Sequence, residues 1–170
     1  MKARVARNVL SLLISACSLW ASSALADNMA NPPSLAGTWT LVAADVQHPD
    51  GSIARDFGAK PSGLLLIDSK GRYSLQIFKA ERPQFAEGDK AKGSDAEYKA
   101  AVMGSSTHFG TITVDSASST LVFHVQGASF PNWEGQQQSR HYEFKDNVLS
   151  YRVAPRPNGD VPVSVWRRID

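Results

Sequence analysis

Gly37-Thr38-Trp39, read together with Trp166-Arg167-Arg168 near the other end of the chain, decides the fold. Each triplet sits in a run that alternates apolar and polar side chains, the period of a half-buried strand. A Gly-x-Trp that opens a first strand, answered by Trp-Arg in a last one, closes a small antiparallel barrel. Gly37 permits close backbone approach. Trp39 plugs that end with a large ring, and one arginine of the pair, Arg167 in the first instance, lies across the indole face. A contact of that kind is worth roughly 0.5–2 kcal/mol. The alternative is two unrelated tryptophans, one in a strand and one near a frayed terminus. Closure requires the first and last strands to pair, and it places the open mouth at the opposite end.

Working outward, strand patterns cover about 37–46, 63–68, 73–79, 108–115, 120–128, 137–145, 148–153 and 161–168. Turn signals separate them: His48-Pro49-Asp50-Gly51, Ser69-Lys70-Gly71-Arg72, Ser116 to Ser119, Asp146-Asn147, and the Pro155 to Asp160 loop. Pro162 is tolerated only near the start of the last strand. Between the third and fourth strands the alternation stops. The segment from Ala80 to Asp89 has no period and leads into Ser94-Asp95-Ala96-Glu97, a capping box for a short helix through about Met103. Tyr98, Ala101 and Val102 share one face of it, suited to a barrel mouth or wall. Arg82 and Asp89 flank the insertion and could pair. The expected fold is all-β: an eight-stranded antiparallel up-and-down barrel with one short helix inserted between its third and fourth strands. Eight strands leave an interior that is filled by side chains or holds one small ligand.

Residues 1–26 read as a cleaved signal peptide. Lys2, Arg4 and Arg7 form a basic start, Val9 to Ala21 is mostly apolar, and Ala24-Leu25-Ala26 is a cleavage site. Ile14-Ser15-Ala16-Cys17 offers a competing lipoprotein box, ranked second because the apolar run before it is short. Residues 27–34, with Pro32 and Pro33, read as a flexible leader, and 35–170 as the barrel domain. The protein is expected to be exported, periplasmic or secreted. Removing residues 1–26 takes away three of 18 basic and none of 16 acidic residues, so the balance becomes −1. The basic pI belongs to the signal, and no nucleic-acid partner is implied. The one cysteine, Cys17, lies in the signal, which excludes disulfides and thiolate chemistry from the mature chain. The apolar signal run is too short for a spanning helix, and no membrane insertion of the mature chain is expected.

Taken in order, Gly37-Thr38-Trp39, Pro49-Asp50-Gly51, Phe57-Gly58, Gly71-Arg72-Tyr73-Ser74, Arg82-Pro83-Gln84-Phe85, Gly88-Asp89, Phe109-Gly110-Thr111, His124-Val125, Phe130-Pro131-Asn132-Trp133 and Trp166-Arg167 form a specific set. Over nearly the whole mature chain it resembles the bacterial lipocalin-like domain family, a branch of the calycin barrels. The resemblance implies a calycin barrel with a small-molecule pocket and no established reaction, although some relatives serve as cyclases or isomerases. The chain departs from the family pattern at His108 and Ile112, where tyrosines are usual.

Two basic side chains stand mid-strand. If the hairpin carrying them is centred on Asn132, His124 faces Arg140 and shares a face with Gln126 and Gln138. A register one residue away pairs His124 with His141 on the other face. Leu121, Phe123 and Val125 make an apolar face that favours the second. Arg140 shares a face with Tyr142 and Phe144, so it points inward either way. An inward arginine offers a planar fork of donors for a carboxylate, enolate or phenolate, and His124 is a candidate acid or base. Phe130, Asn132 and Trp133 lie in an aromatic loop where they would contact a ligand or seal the barrel end. Gln76, His108, Gln138 and Arg140 complete the candidate ligand-binding set. His48, His108, His124 and His141 show no metal-ligand spacing, so no metal or other cofactor is expected. Phosphate loops, nucleotide fingerprints and a serine-hydrolase elbow are absent from the sequence. The leading expectation is an exported lipocalin-like protein binding a small, apolar or amphipathic molecule. The other is a cofactor-free isomerase or cyclase using His124 and Arg140.

Overall fold

The computed structural model describes residues 34–170. The expected signal peptide, and the leader up to its last residue, lie outside the described residues. The strands are β1 (Gly37–Gln47), β2 (Ile53–Ala54), β3 (Ser62–Ile67), β4 (Arg72–Phe78), β5 (Ser105–Asp115), β6 (Thr120–Ala128), β7 (Gln137–Lys145), β8 (Val148–Arg152) and β9 (Val161–Arg168), with helix α1 (Asp95–Met103) between β4 and β5. From β3 to β9 each strand pairs antiparallel with the next, and β1 pairs with β3 on one side and β9 on the other. Eight strands therefore close into a barrel. The two-residue β2 is an accessory at the end of β1, within the loop expected after Gly51.

The alternation in β1 changes phase once, and a bulge is the cause. Trp39 and Leu41 are buried, and so are Ala44 and Val46, which would face outward in an unbroken strand. The register against β9 shifts between Leu41 and Ala43, leaving Val42 exposed and turning the later pair inward. The β3–β4 hairpin rests on Asp68, whose carboxylate accepts from the backbone N–H groups of Lys70 and Arg72. Gly71 closes that turn at φ +77°, and a Cβ there would sit 2.8 Å from the Ile112 carbonyl oxygen. Both the backbone angle and the space demand glycine.

A continuous apolar core runs through the barrel interior. Trp39, Trp166, Leu65, Leu75, Leu121, Phe123, Leu149 and Tyr151 are each less than 2% exposed. Trp39 donates its indole N–H to the Leu35 carbonyl at 3.1 Å and meets the edge of Phe144. The guanidinium of Arg168 lies 4.4 Å from the Trp39 ring centre and 5.2 Å from that of Phe144. The arginine expected there was Arg167, and this is a correction. Trp166 points inward, so its immediate neighbour Arg167 points out, while Arg168 returns to the inner face directly opposite Trp39. Arg168 also donates to the Ser34 carbonyl, and the Asp170 carboxylate accepts from the Thr38 N–H, so both ends of the domain are tied into this floor.

The insertion folds against itself. Ser94 and Glu97 form the capping box, and the Glu97 carboxylate also accepts from the Ala86 N–H at 2.7 Å. The face carrying Tyr98 and Val102 does not pack on the barrel as expected. Tyr98 meets Phe85 edge-on within the same segment, Val102 is 58% exposed, and no residue of α1 is buried. Arg82 and Asp89 do not pair either. Arg82 lies over Phe78, and Asp89 caps the turn Lys90–Lys92 and faces Lys92. Among the described residues no helix is long and apolar enough to cross a membrane.

Candidate functional site

Inside the barrel, four strands bring polar groups onto one patch of the inner wall. Alternation points Tyr73, Leu75 and Ile77 inward from β4, His108 from β5, Phe123 from β6, Gln138 and Arg140 from β7, and Tyr151 from β8. His108 is 4% exposed and Arg140 is 6% exposed. The Nδ1 atom of His108 lies 2.7 Å from the Tyr73 hydroxyl, and its Nε2 lies 3.3 Å from Arg140 Nη2. Arginine can only donate, so Nε2 is the acceptor and the ring proton sits on Nδ1, donated to the Tyr73 oxygen. The same Nη2 donates to Gln138 Oε1 at 2.8 Å. The guanidinium stacks over Phe123 at 4.1 Å and Tyr151 at 4.9 Å. Trp133, half-buried in the β6–β7 turn, meets His108 edge-on with ring centres 6.0 Å apart, and Phe130 packs on its far side.

These neighbours set the protonation states. Burial, and then the adjacent Arg140 charge, push His108 down to about 3, so the imidazole is neutral at physiological pH. Burial holds the Tyr73 phenol well above its ordinary value, with Arg140 partly opposing it. A neutral imidazole whose lone pair already accepts from an arginine is a poor general base.

Several expected residues stand elsewhere. The β6–β7 ladder pairs Leu121 with Arg140, Phe123 with Gln138 and His124 with Gln137. It is centred between Phe130 and Pro131, ahead of Asn132, so neither expected partner of His124 is correct. Leu121, Phe123 and Val125 take the inner face, and His124 lies on the outer one. The His124–Arg140 pair therefore does not form, and the proposed isomerase loses its base. Gln76 is also outward, because Tyr73, Leu75 and Ile77 fix the phase of β4; its side chain lies 3.4 Å from the Ser74 hydroxyl. Asn132 is exposed and Phe130 is 46% exposed, so of the aromatic loop only Trp133 reaches the interior cluster. Tyr73 and Tyr151 were not singled out from the sequence. Their inward phase was readable from strand alternation, but their convergence on His108 and Arg140 depends on which strands become neighbours.

Two clefts dent the outside. One of about 240 Å³ lies between Leu35, Ile67, Gly71 and Ile112 near the Trp39 end, and one of about 230 Å³ lies within the insertion between Arg82, Phe85 and Ala101. Neither includes His108 or Arg140. At the other end of the barrel a clasp joins two loops: His48 Nδ1 meets the Asp160 carboxylate at 2.7 Å, and the hydrogen bond raises His48 above its ordinary value. Among the described residues no group of three or more His, Cys, Asp or Glu side chains is placed to hold a metal.

No curated protein matches the chain. Among solved structures it is similar to the crystal structure of a lipocalin-like protein from Bacteroides uniformis ATCC 8492, at 15% identity over 79% of this chain and 98% of that chain, with a TM-score of 0.38. The model of the lipocalin-like domain matches residues 36–169, from the Gly-x-Trp strand to the last residue but one. That match spans well over half of the sequence and takes in every strand of the barrel, and the chain belongs to the lipocalin-like domain family.

Proposed function

We propose that this protein is an exported lipocalin-like binding module whose barrel interior takes a small, largely apolar molecule. The observation that carries the reading is the buried patch of Tyr73, His108, Arg140 and Tyr151 on a wall otherwise lined by leucine, isoleucine and phenylalanine. Burying a guanidinium costs several kcal/mol relative to a well-packed apolar side chain, even when it is hydrogen-bonded. Stability alone does not call for it, whereas a ligand site does, since such sites are mostly apolar with a few placed polar groups. Family membership supports the same reading. The basic, apolar and small-residue pattern of residues 1–26 supports export to the periplasm or beyond, with cleavage near Ala26.

The test is a titration of tryptophan fluorescence with a panel of small aromatic and aliphatic compounds, both neutral and charged. Trp133 abuts His108, so a ligand at the cluster changes its emission. The expected result is a saturable response to at least one class. Trp133→Ala should reduce that response and the affinity while costing less stability than loss of a fully buried tryptophan, because Trp133 is only half-buried. No saturable response across the panel overturns the reading.

A further inference from the structure

Resting on that reading, we propose that the ligand is a monocarboxylic acid with a compact apolar body, and that its carboxylate is received by Arg140 inside the barrel. The imbalance of donors and acceptors in the cluster carries this. Arg140 has two neutral acceptors, Gln138 Oε1 and His108 Nε2, and both engage the same Nη2. Its Nε is fully buried with no acceptor, and the buried Tyr151 hydroxyl has none either. Tyr73 receives the His108 Nδ1 proton, so its own hydroxyl proton is also left to donate. The shortfall is entirely on the acceptor side.

Charge points the same way. The ion pairs among the described residues are His48–Asp160, Arg72–Asp68, Lys92–Asp89 and Arg156–Asp56, and none reaches Arg140. A guanidinium 6% exposed thus stands without a counter-charge, attended by two neutral acceptors and the faces of Phe123 and Tyr151. A planar carboxylate supplies what is missing. It carries one negative charge, accepts from two guanidinium N–H groups at once, and has lone pairs to spare for a phenol. The aromatic faces then suit the apolar body, and an interior enclosed by eight strands limits its size. A neutral alcohol or ester offers no charge and fits the donor excess poorly.

Decanoate and phenylbutyrate are titrated against the protein beside their methyl esters, by calorimetry and tryptophan fluorescence. The expected result is about tenfold or tighter binding of at least one acid over its ester, the scale of a charge-assisted pair. Equal affinities overturn the carboxylate assignment and leave the binding module standing. No binding by any of the four overturns the carboxylate assignment, and the wider panel then decides the binding module. The second variant is Arg140→Met, which keeps an apolar stem over Phe123 and Tyr151. It should abolish the preference for acid over ester, and the ligand-free protein should be no less stable than the parent, because an unpaired buried charge is removed. A preference that survives in Arg140→Met refutes the assignment. If that variant does not fold, the acid–ester comparison on the parent protein decides alone.

Discussion

Replacing Trp39 by alanine empties the floor of the barrel. The ring is fully buried, and truncating a large aromatic at such a site costs about 3–5 kcal/mol. The buried Leu35 carbonyl loses its indole donor, adding about 1 kcal/mol. Arg168 loses the face it lies on as well. A total of about 4–6 kcal/mol approaches the whole stability of a domain of this size, typically about 5–15 kcal/mol. At about 2–4 °C per kcal/mol, the melting temperature should fall by about 10–20 °C. Urea denaturation followed by far-ultraviolet circular dichroism measures this without relying on the tryptophan removed. The slope with denaturant should stay constant while the midpoint moves. The two neighbouring arginines supply the control. Arg168→Ala should cost about 1–2 kcal/mol through the lost stacking, whereas the outward Arg167→Ala should stay within about 0.5 kcal/mol. A Trp39→Ala protein as stable as its parent, or an Arg167→Ala cost equal to that of Arg168→Ala, refutes the closure described for this floor.

His108 should make the fold acid-sensitive. Its folded pKa of about 3 lies below the ordinary 6.5, so the unfolded chain binds the proton first, and stability is lost as pH falls from about 6.5 toward 3. The slope is about 1.4 kcal/mol per pH unit in that window; His108→Gln should flatten it, and an unchanged pH profile by urea denaturation refutes the assignment. His48 works in the opposite sense, since its pKa is raised by Asp160, and the stability it contributes fades as pH rises through that raised value. Ser94→Ala removes the cap of α1, typically worth about 0.5–2 kcal/mol to a helix. Because α1 buries nothing, hydrogen exchange should accelerate within 95–103 while the global denaturation midpoint barely moves.

The sequence carried the strands because barrel burial has period two, and the runs between Gly/Pro/Asp/Asn turns kept that period apart from the phase change at the β1 bulge. The closure was readable for a related reason: a large ring in the first strand and a Trp-Arg-Arg run in the last have few places to go other than a shared floor. Choosing between Arg167 and Arg168 needed only the phase of Trp166, so that misplacement is one of reading, not of missing information. The His124 register was harder. Turn composition placed the hairpin centre at Asn132, but the ladder is centred ahead of it, and that shift decides which residue faces the wall. Of the candidate site, Arg140, Gln138, His108 and Trp133 were named and do meet around the buried patch. Tyr73 and Tyr151 join them from strands far away in the chain, a convergence fixed by barrel geometry and invisible to local pattern. The insertion misled for another reason: an apolar i, i+3, i+4 stripe promises a partner, and here Tyr98 finds it in Phe85, ahead of the helix cap Ser94 in the same segment.

The pairing of β1 with β9 also sets an order of events in time. Residues 37–47 find their long partner only in residues 161–168, across more than a hundred intervening residues. Local hairpins such as β3–β4 can form as soon as their few residues are present, but the barrel cannot close until its last strand arrives. Contacts of such sequence separation place folding in the slow range, about milliseconds to seconds. A chain still emerging, or one shortened by its final strand, presents the edges of β1 and β8 unpaired, the form in which sheets associate with one another. The C-terminal residues therefore act as a completion check: the first strand waits for them, and only a full-length chain hides its edges.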